Sequence, residues 1–270
     1  AHGGTTTIID FSEQRLGGQV LTAFEKRFAE AESQCVIDWG LHQVLGGVDA
    51  QALIDTRSLV EREGVASIKL FMAYPGRLYS DDGQILRALQ MCADTGMMAM
   101  VHAENGLAID VLIEQAIAAG NTGPEFHSLT RPPELEAEAV HRAAVLARVA
   151  GNAPLYIVHL SSSHALREVV EARSRGTNIF AETCPQYLHL SLEEHLGQGW
   201  PNGAGFIFFR LAMAFLAIAD LSPSLAASSK RTTATPALAR CPAICAPITP
   251  APNTAALRTR LVMLTPIGSV

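Results

Sequence analysis

Over roughly the first 190 residues, short apolar runs alternate with longer stretches of helical periodicity. The runs at 6–11, 36–41, 67–72, 98–102, 155–159 and 179–183 are rich in β-branched and other apolar residues and predict strands. They are nearly continuous rather than alternating, as expected where both faces of a parallel sheet are covered. Helical patterns fill the gaps. Ile85, Leu86, Leu89 and Ala93 mark one face of a helix introduced by Ser80-Asp81-Asp82, a good capping cluster. A second begins at Arg131-Pro132-Pro133-Glu134 and runs through Val140, Ala144 and Val149, with Gly151 and Pro154 placed to end it. A third runs from Ser163 through Leu166, Val169 and Val170 towards Gly176. The alternation predicts the α/β class, with βα units around a parallel sheet.

Three of these runs carry residues that packing alone explains poorly. Lys69 lies in Ser67-Ile68-Lys69-Leu70-Phe71-Met72, His102 ends Met98-Ala99-Met100-Val101-His102, and His159 ends Tyr156-Ile157-Val158-His159. A lysine in an apolar strand is costly to bury without a partner. A neutral imidazole at a strand end is a good zinc ligand. Each also has a plainer reading. Lys69 can snorkel to solvent, and each histidine can be a core residue bonded to a backbone carbonyl. Six βα units fit a doubly wound sheet or part of a (β/α)8 barrel. Reactive groups from several strands converge at one end of a barrel, whereas an open sheet spreads them along a row, so the barrel is favoured. His164 reads as a surface or supporting residue. Glu104 reads as a base or as a charge at a helix N-terminus.

Past residue 199 the pattern collapses. After Glu194 the only acid is Asp220, against Arg210, Lys230, Arg231, Arg240, Arg258 and Arg260, in a chain of net charge −6. Ala, Pro and Thr recur there without period, so residues 200–270 read as a low-complexity tail and 1–199 as the folded body. Such a tail is either disordered or, as the abrupt shift favours, non-native, the product of a shifted reading frame. The apolar run at 205–221 is interrupted by Arg210 and is shorter than the ~20 residues a membrane span needs. Net negative charge gives no footprint for nucleic acid. Five scattered cysteines and no apolar leader point to a reducing cytoplasm. Cys241 and Cys245 lack a second pair, and no P-loop, Gly-x-Ser-x-Gly or Gly-x-Gly-x-x-Gly motif occurs.

Taken together, HGGTTTIIDF (2–11), IKLFMAY (68–74), VHAENG (101–106), TGPEFH (122–127), RPPELEAEAV (131–140), LYIVHLSSS (155–163) and AETCPQYLHL (181–190) resemble the dihydropyrimidinase/D-hydantoinase family of the amidohydrolase superfamily. The resemblance covers about residues 1–197, in family order. It implies a partial TIM-type (β/α)8 barrel, strands two to seven, followed by an irregular C-terminal tail. By the same resemblance Lys69 is the carboxylated lysine bridging two Zn2+ ions. His102 and His159 are ligands of one of them, and Tyr74 is the phenol that stabilises the oxyanion. The implied substrate is a small cyclic amide, a hydantoin or dihydropyrimidine opened to an N-carbamoyl amino acid. The implied assembly is a homotetramer, with no nucleic-acid or membrane partner. Alternatives are a non-catalytic dihydropyrimidinase-like assembly protein and an allantoinase- or dihydroorotase-type enzyme. Retention of Lys69, Tyr74, His102 and His159 speaks against the first.

The family's His-x-His pair lies upstream of the Gly-Gly-Thr-Thr element, and its catalytic Asp follows the seventh strand. Neither has a counterpart here, since His2 is not part of a His-x-His pair and Asp220 lacks the flanking motif. The copy is therefore expected to be inactive. A six-strand barrel segment leaves two edges unpaired, which invites aggregation. Poor solubility is the expected outcome on expression; a sharp, cooperative thermal transition from a monomer would contradict it.

Overall fold

The computed structural model describes residues 3–32 and 34–192, together with 194, 195, 197 and 199. The expected tail from residue 200, with Asp220 and the Cys241 and Cys245 pair, lies outside the described residues. The elements are β1 (Thr7–Gln14), α1 (Val20–Glu32), β2 (Asp38–Leu45), α2 (Ala50–Glu63), β3 (Ser67–Phe71), α3 (Asp82–Thr95), β4 (Met98–His102), α4 (Gly106–Ala118), α5 (Phe126–Leu129), α6 (Pro133–Val149), β5 (Leu155–Ile157), α7 (Ser163–Ser174) and β6 (Ile179–Ala181). The class is α/β, and the six strands follow one another in chain order. A doubly wound sheet reverses its order at a switch point; no reversal occurs, and the order is that of a barrel segment. No helix among the described residues is long and apolar enough to cross a membrane.

Backbone proximity gathers the described residues into two compact units, 3–102 with 145–156 and 103–144 with 157–199. In the first, β1 pairs in parallel with β2 from Thr7↔Asp38 to Gln14↔Leu45. β2 pairs with β3 through Gln43↔Ile68 and Val44↔Lys69. β3 pairs with β4 from Ser67↔Met98 to Phe71↔His102. The Ala99 N–H then donates to the Pro154 carbonyl just before β5, at 2.9 Å. Ile68, Leu70, Ala99 and Val101 are fully buried, as are Ile85, Leu89 and Cys92 of α3. The expected cap of α3 is a full capping box: Asp81 accepts from the Gln84 N–H at 2.8 Å, and Gln84 Oε1 accepts from the Asp81 N–H at 3.0 Å.

β1 and β2 reach farther along the chain than their apolar runs. The extra residues include buried polar side chains, several of them hydrogen-bonded. Gln14 Nε2 donates to the Gly18 carbonyl, Gln14 Oε1 accepts from the Gly47 N–H, and Gln43 Nε2 donates to the Ser12 and Val44 carbonyls. β5 is shorter than its apolar run, ending at Ile157. His159 therefore lies beyond the strand, with φ at 41°. Lys69 sits at the centre of β3 rather than at its end, and His102 is the last residue of β4.

In the second unit, Glu182 N–H donates to Ile157 carbonyl at 3.0 Å and Leu160 N–H donates to Glu182 carbonyl at 2.7 Å, joining the ends of β5 and β6. Ser162 caps α7 by accepting from the Ala165 N–H. Near its far end, Arg173 donates to the Ile179 carbonyl and covers the Phe180 ring.

Where β1 and β2 end, the Gly46 N–H donates to the Gln14 carbonyl at 2.9 Å. A Cβ at residue 46 would meet that carbonyl oxygen at 2.5 Å. Gly46→Ala is expected to destabilise the chain by about 1–3 kcal/mol, the usual cost of forcing atoms into a packed site; urea unfolding measures it.

Candidate active site

Paired positions of a parallel ladder side with one another, and alternate residues share a face. The β3–β4 register therefore puts Ser67, Lys69 and Phe71 on the same face as Met98, Met100 and His102. Lys69 and His102 are both buried. The Lys69 ammonium lies 5.2 Å from the centroid of the Phe71 ring, a cation–π distance. The Phe71 and His102 rings stack with centroids 5.5 Å apart.

Tyr74 joins them by a backbone turn. Its φ is 64°, in the left-handed region that costs a non-glycine residue strain. The Tyr74 carbonyl accepts from the N–H groups of Arg77, Leu78 and Tyr79, and the Ser80 N–H returns to the Phe71 carbonyl. The turn brings the Tyr74 ring to 5.2 Å from His102 and 5.9 Å from Phe71. Lys69, Tyr74 and His102 are thus gathered around Phe71 within the first unit.

A further histidine lies on this face, outside the strands that the apolar runs predict. The register Val44↔Lys69 puts His42, two residues earlier on β2, on the side of Ser67, and His42 Nδ1 is hydrogen-bonded to Ser67 Oγ. Its ring lies 5.0 Å from that of Phe11. Among the described residues its buried Nε2 has no hydrogen-bond partner. Burial first, and the Lys69 charge second, lower the His42 pKa to about 4. The signal was present, a histidine inside the apolar run Leu41-His42-Gln43-Val44-Leu45, but the expected strand stopped at Leu41.

His159 belongs to the second unit. It lines a cavity of about 30 Å3 with Glu104, His127, Arg131, Glu136 and Ser161. Room for about one or two waters follows from that volume. Arg131 Nη1 donates to the His127 carbonyl at 2.8 Å and lies 3.4 Å from His127 Nδ1. Burial, then the Arg131 charge, lowers the His127 pKa to about 4; burial lowers that of Arg131. Glu136 is buried, and burial raises its pKa to about 7 against hydrogen bonds from Ser162 and Ser161. His164 is the second residue of α7 and lies outside the cavity lining.

Among the described residues, no three or more His, Cys, Asp or Glu side chains gather where they could hold a metal ion. The donor set among the described residues does not make up a complete two-metal centre.

A lowered histidine pKa ties stability to pH. His42 holds its proton more weakly folded, at about 4, than at its ordinary 6.5, so protonation favours the unfolded chain. Its contribution is whole above about 6.5 and is lost as pH falls towards 4. His42→Asn is expected to flatten the fall in stability between those pH values, read from urea unfolding across the range.

No protein-family profile matches the chain. It is 54% identical over 193 residues to the D-hydantoinase of Streptomyces coelicolor, covering 72% of this chain and 41% of that protein. It is 44% identical over 208 residues to the D-hydantoinase of Geobacillus stearothermophilus, covering 77% of this chain and 44% of that protein. Its fold is similar to the D-hydantoinase (dihydropyrimidinase) from a Thermus species, with a TM-score of 0.78 and 27% identity over 84% of this chain and 49% of that one. The chain spans less than half the length of these proteins.

Proposed function

We propose that this chain, whose sequence belongs with the dihydropyrimidinase/D-hydantoinase family over about three quarters of its length, carries part of the machinery of a cyclic-amide hydrolase. The substrate class is a hydantoin or dihydropyrimidine ring, opened to an N-carbamoyl amino acid. The observation that carries the reading is the gathering of Lys69, Tyr74 and His102 around Phe71. Four motif residues from three separate stretches of sequence match the family, and three of the four meet in one place.

Each role follows from chemistry at its matching position. The Tyr74 hydroxyl donates a hydrogen bond to the oxygen that gains charge when the amide carbonyl is attacked. The Phe71 ring gives an apolar wall beside the amine of Lys69 and stacks on His102, limiting where each can point. The metal-ligand roles of Lys69, as the carboxylated residue, and of His102 and His159 rest on their motif matches. Zinc, when bound in such a site, lowers the pKa of its water and polarises the carbonyl. The described residues fall short of a two-zinc donor set. The reading for the 270-residue chain by itself is an incomplete, non-hydrolysing site in a cytoplasmic protein. The described cysteines, Cys35, Cys92 and Cys184, are free thiols, in keeping with a reducing compartment.

The test is to purify the 270-residue chain, measure zinc per chain and assay hydantoin and dihydrouracil ring opening. The expected result is less than a full pair of ions and no measurable turnover. Turnover at the ordinary enzyme scale, a kcat of ~10 per second, overturns the assignment of an incomplete site.

A further inference from the structure

We infer that Glu136 is a positioning residue that locks the loop after β5 and so fixes the backbone that presents His159. The inference rests on the role proposed above for His159. His159 has φ at 41°. A non-glycine residue there stores strain, about 1–3 kcal/mol, and persists only when its surroundings over-determine it. Those surroundings can be named. On the strand side, the Ile157 carbonyl accepts from the Glu182 N–H, and the Leu160 N–H returns to the Glu182 carbonyl at 2.7 Å. On the helix side, Ser162 caps α7 by accepting from the Ala165 N–H, and its side chain is also hydrogen-bonded to Glu136. Between them, the Ser161 N–H donates to Glu136 Oε1 at 2.8 Å and the Ser161 hydroxyl donates to Glu136 Oε2 at 3.0 Å.

Glu136 is thus a side-chain clamp on a loop otherwise held by backbone. Its two oxygens bond Ser161 at both amide and hydroxyl, and the carboxylate is hydrogen-bonded by the Ser162 side chain as well, an arrangement a carboxylate makes and a single carbonyl cannot. Its neighbours on α6, Glu134 and Glu138, are exposed, whereas Glu136 is 8% exposed. Burying a carboxylate costs stability unless it is bonded. The cost is explained if the loop conformation at His159 requires an acceptor at both the amide and the hydroxyl of Ser161. Glu136 and His159 also line the same cavity.

The experiment uses the 270-residue chain with 15N-labelled histidine and a second, uniformly labelled sample. The His159 ring signal is identified by its loss in His159→Gln. In Glu136→Ala, the Ser161 amide is expected to exchange with solvent about tenfold faster or more, as for loss of a charge-assisted hydrogen bond. The His159 ring signals shift in the same variant while those of His42 and His102 stay in place. Glu136→Gln keeps one acceptor for the Ser161 amide and is expected to restore most of both readouts. Ser161→Ala loses only the hydroxyl contact and gives a smaller shift of His159.

An unmoved His159 signal in Glu136→Ala, or an equal shift of every histidine signal, overturns the inference. If Glu136→Ala fails to fold, unchanged His159 signals in both Glu136→Gln and Ser161→Ala overturn it instead. Zinc titration of the unsubstituted chain separates the two readings. A His159 signal that ignores zinc removes its proposed ligand role but leaves the lock standing.

Discussion

The parallel ladder between β3 and β4 is the constraint on which the site depends. It pairs five residues of each strand in register. Because side chains alternate, one register choice puts Lys69, Phe71 and His102 on a common face. A slip by one residue would turn that set to the opposite side. The apolar residues on the other face, Ile68, Leu70, Ala99 and Val101, are fully buried and hold the register. Packing on one side of the sheet thus fixes chemistry on the other.

Burial then sets the charge states. His42 and His127 lie where desolvation outweighs other influences, and each stays neutral at pH 7. Glu136 is driven the opposite way by the same cause, up to about 7. For the histidines, acid favours unfolding; for Glu136, stability falls as pH rises through the interval between 4.5 and 7. The two effects oppose each other across mildly acidic pH. Strain accompanies this burial, since Tyr74 and His159 both hold positive φ. In each case nearby backbone hydrogen bonds fix the turn, and at His159 a buried carboxylate bonds the neighbouring serine.

The legible parts of the fold were those where one local signal dominates. Strand β4 has the bounds of its apolar run. Helix α3 starts at the Asp81 cap that its acids and its hydrophobic face indicated. The ends of β1 and β2 were not legible, because Gln14 and Gln43 look like surface residues until their buried hydrogen-bond partners are known. Lys69, Tyr74, His102 and His159 stood out through their motifs. His42 did not, since its apolar context continued past the expected strand end. Glu136 did not either: within Pro133-Glu134-Leu135-Glu136-Ala137-Glu138 it is one of several acids, and only the packed helix buries it and leaves Glu134 and Glu138 outside.

The order of residues determined which segments become strands and helices, and which residue types can do chemistry, because apolar periodicity and capping groups act over a few residues. The tertiary structure decided which side chains meet and how they ionise. Parallel strands join residues some thirty positions apart in the chain, and desolvation depends on everything packed around a group. Lys69 and His102 share a face because their strands are in register. His159 lies beyond its strand because the backbone turns there, a choice made by Glu182 and Glu136 from elsewhere in the chain.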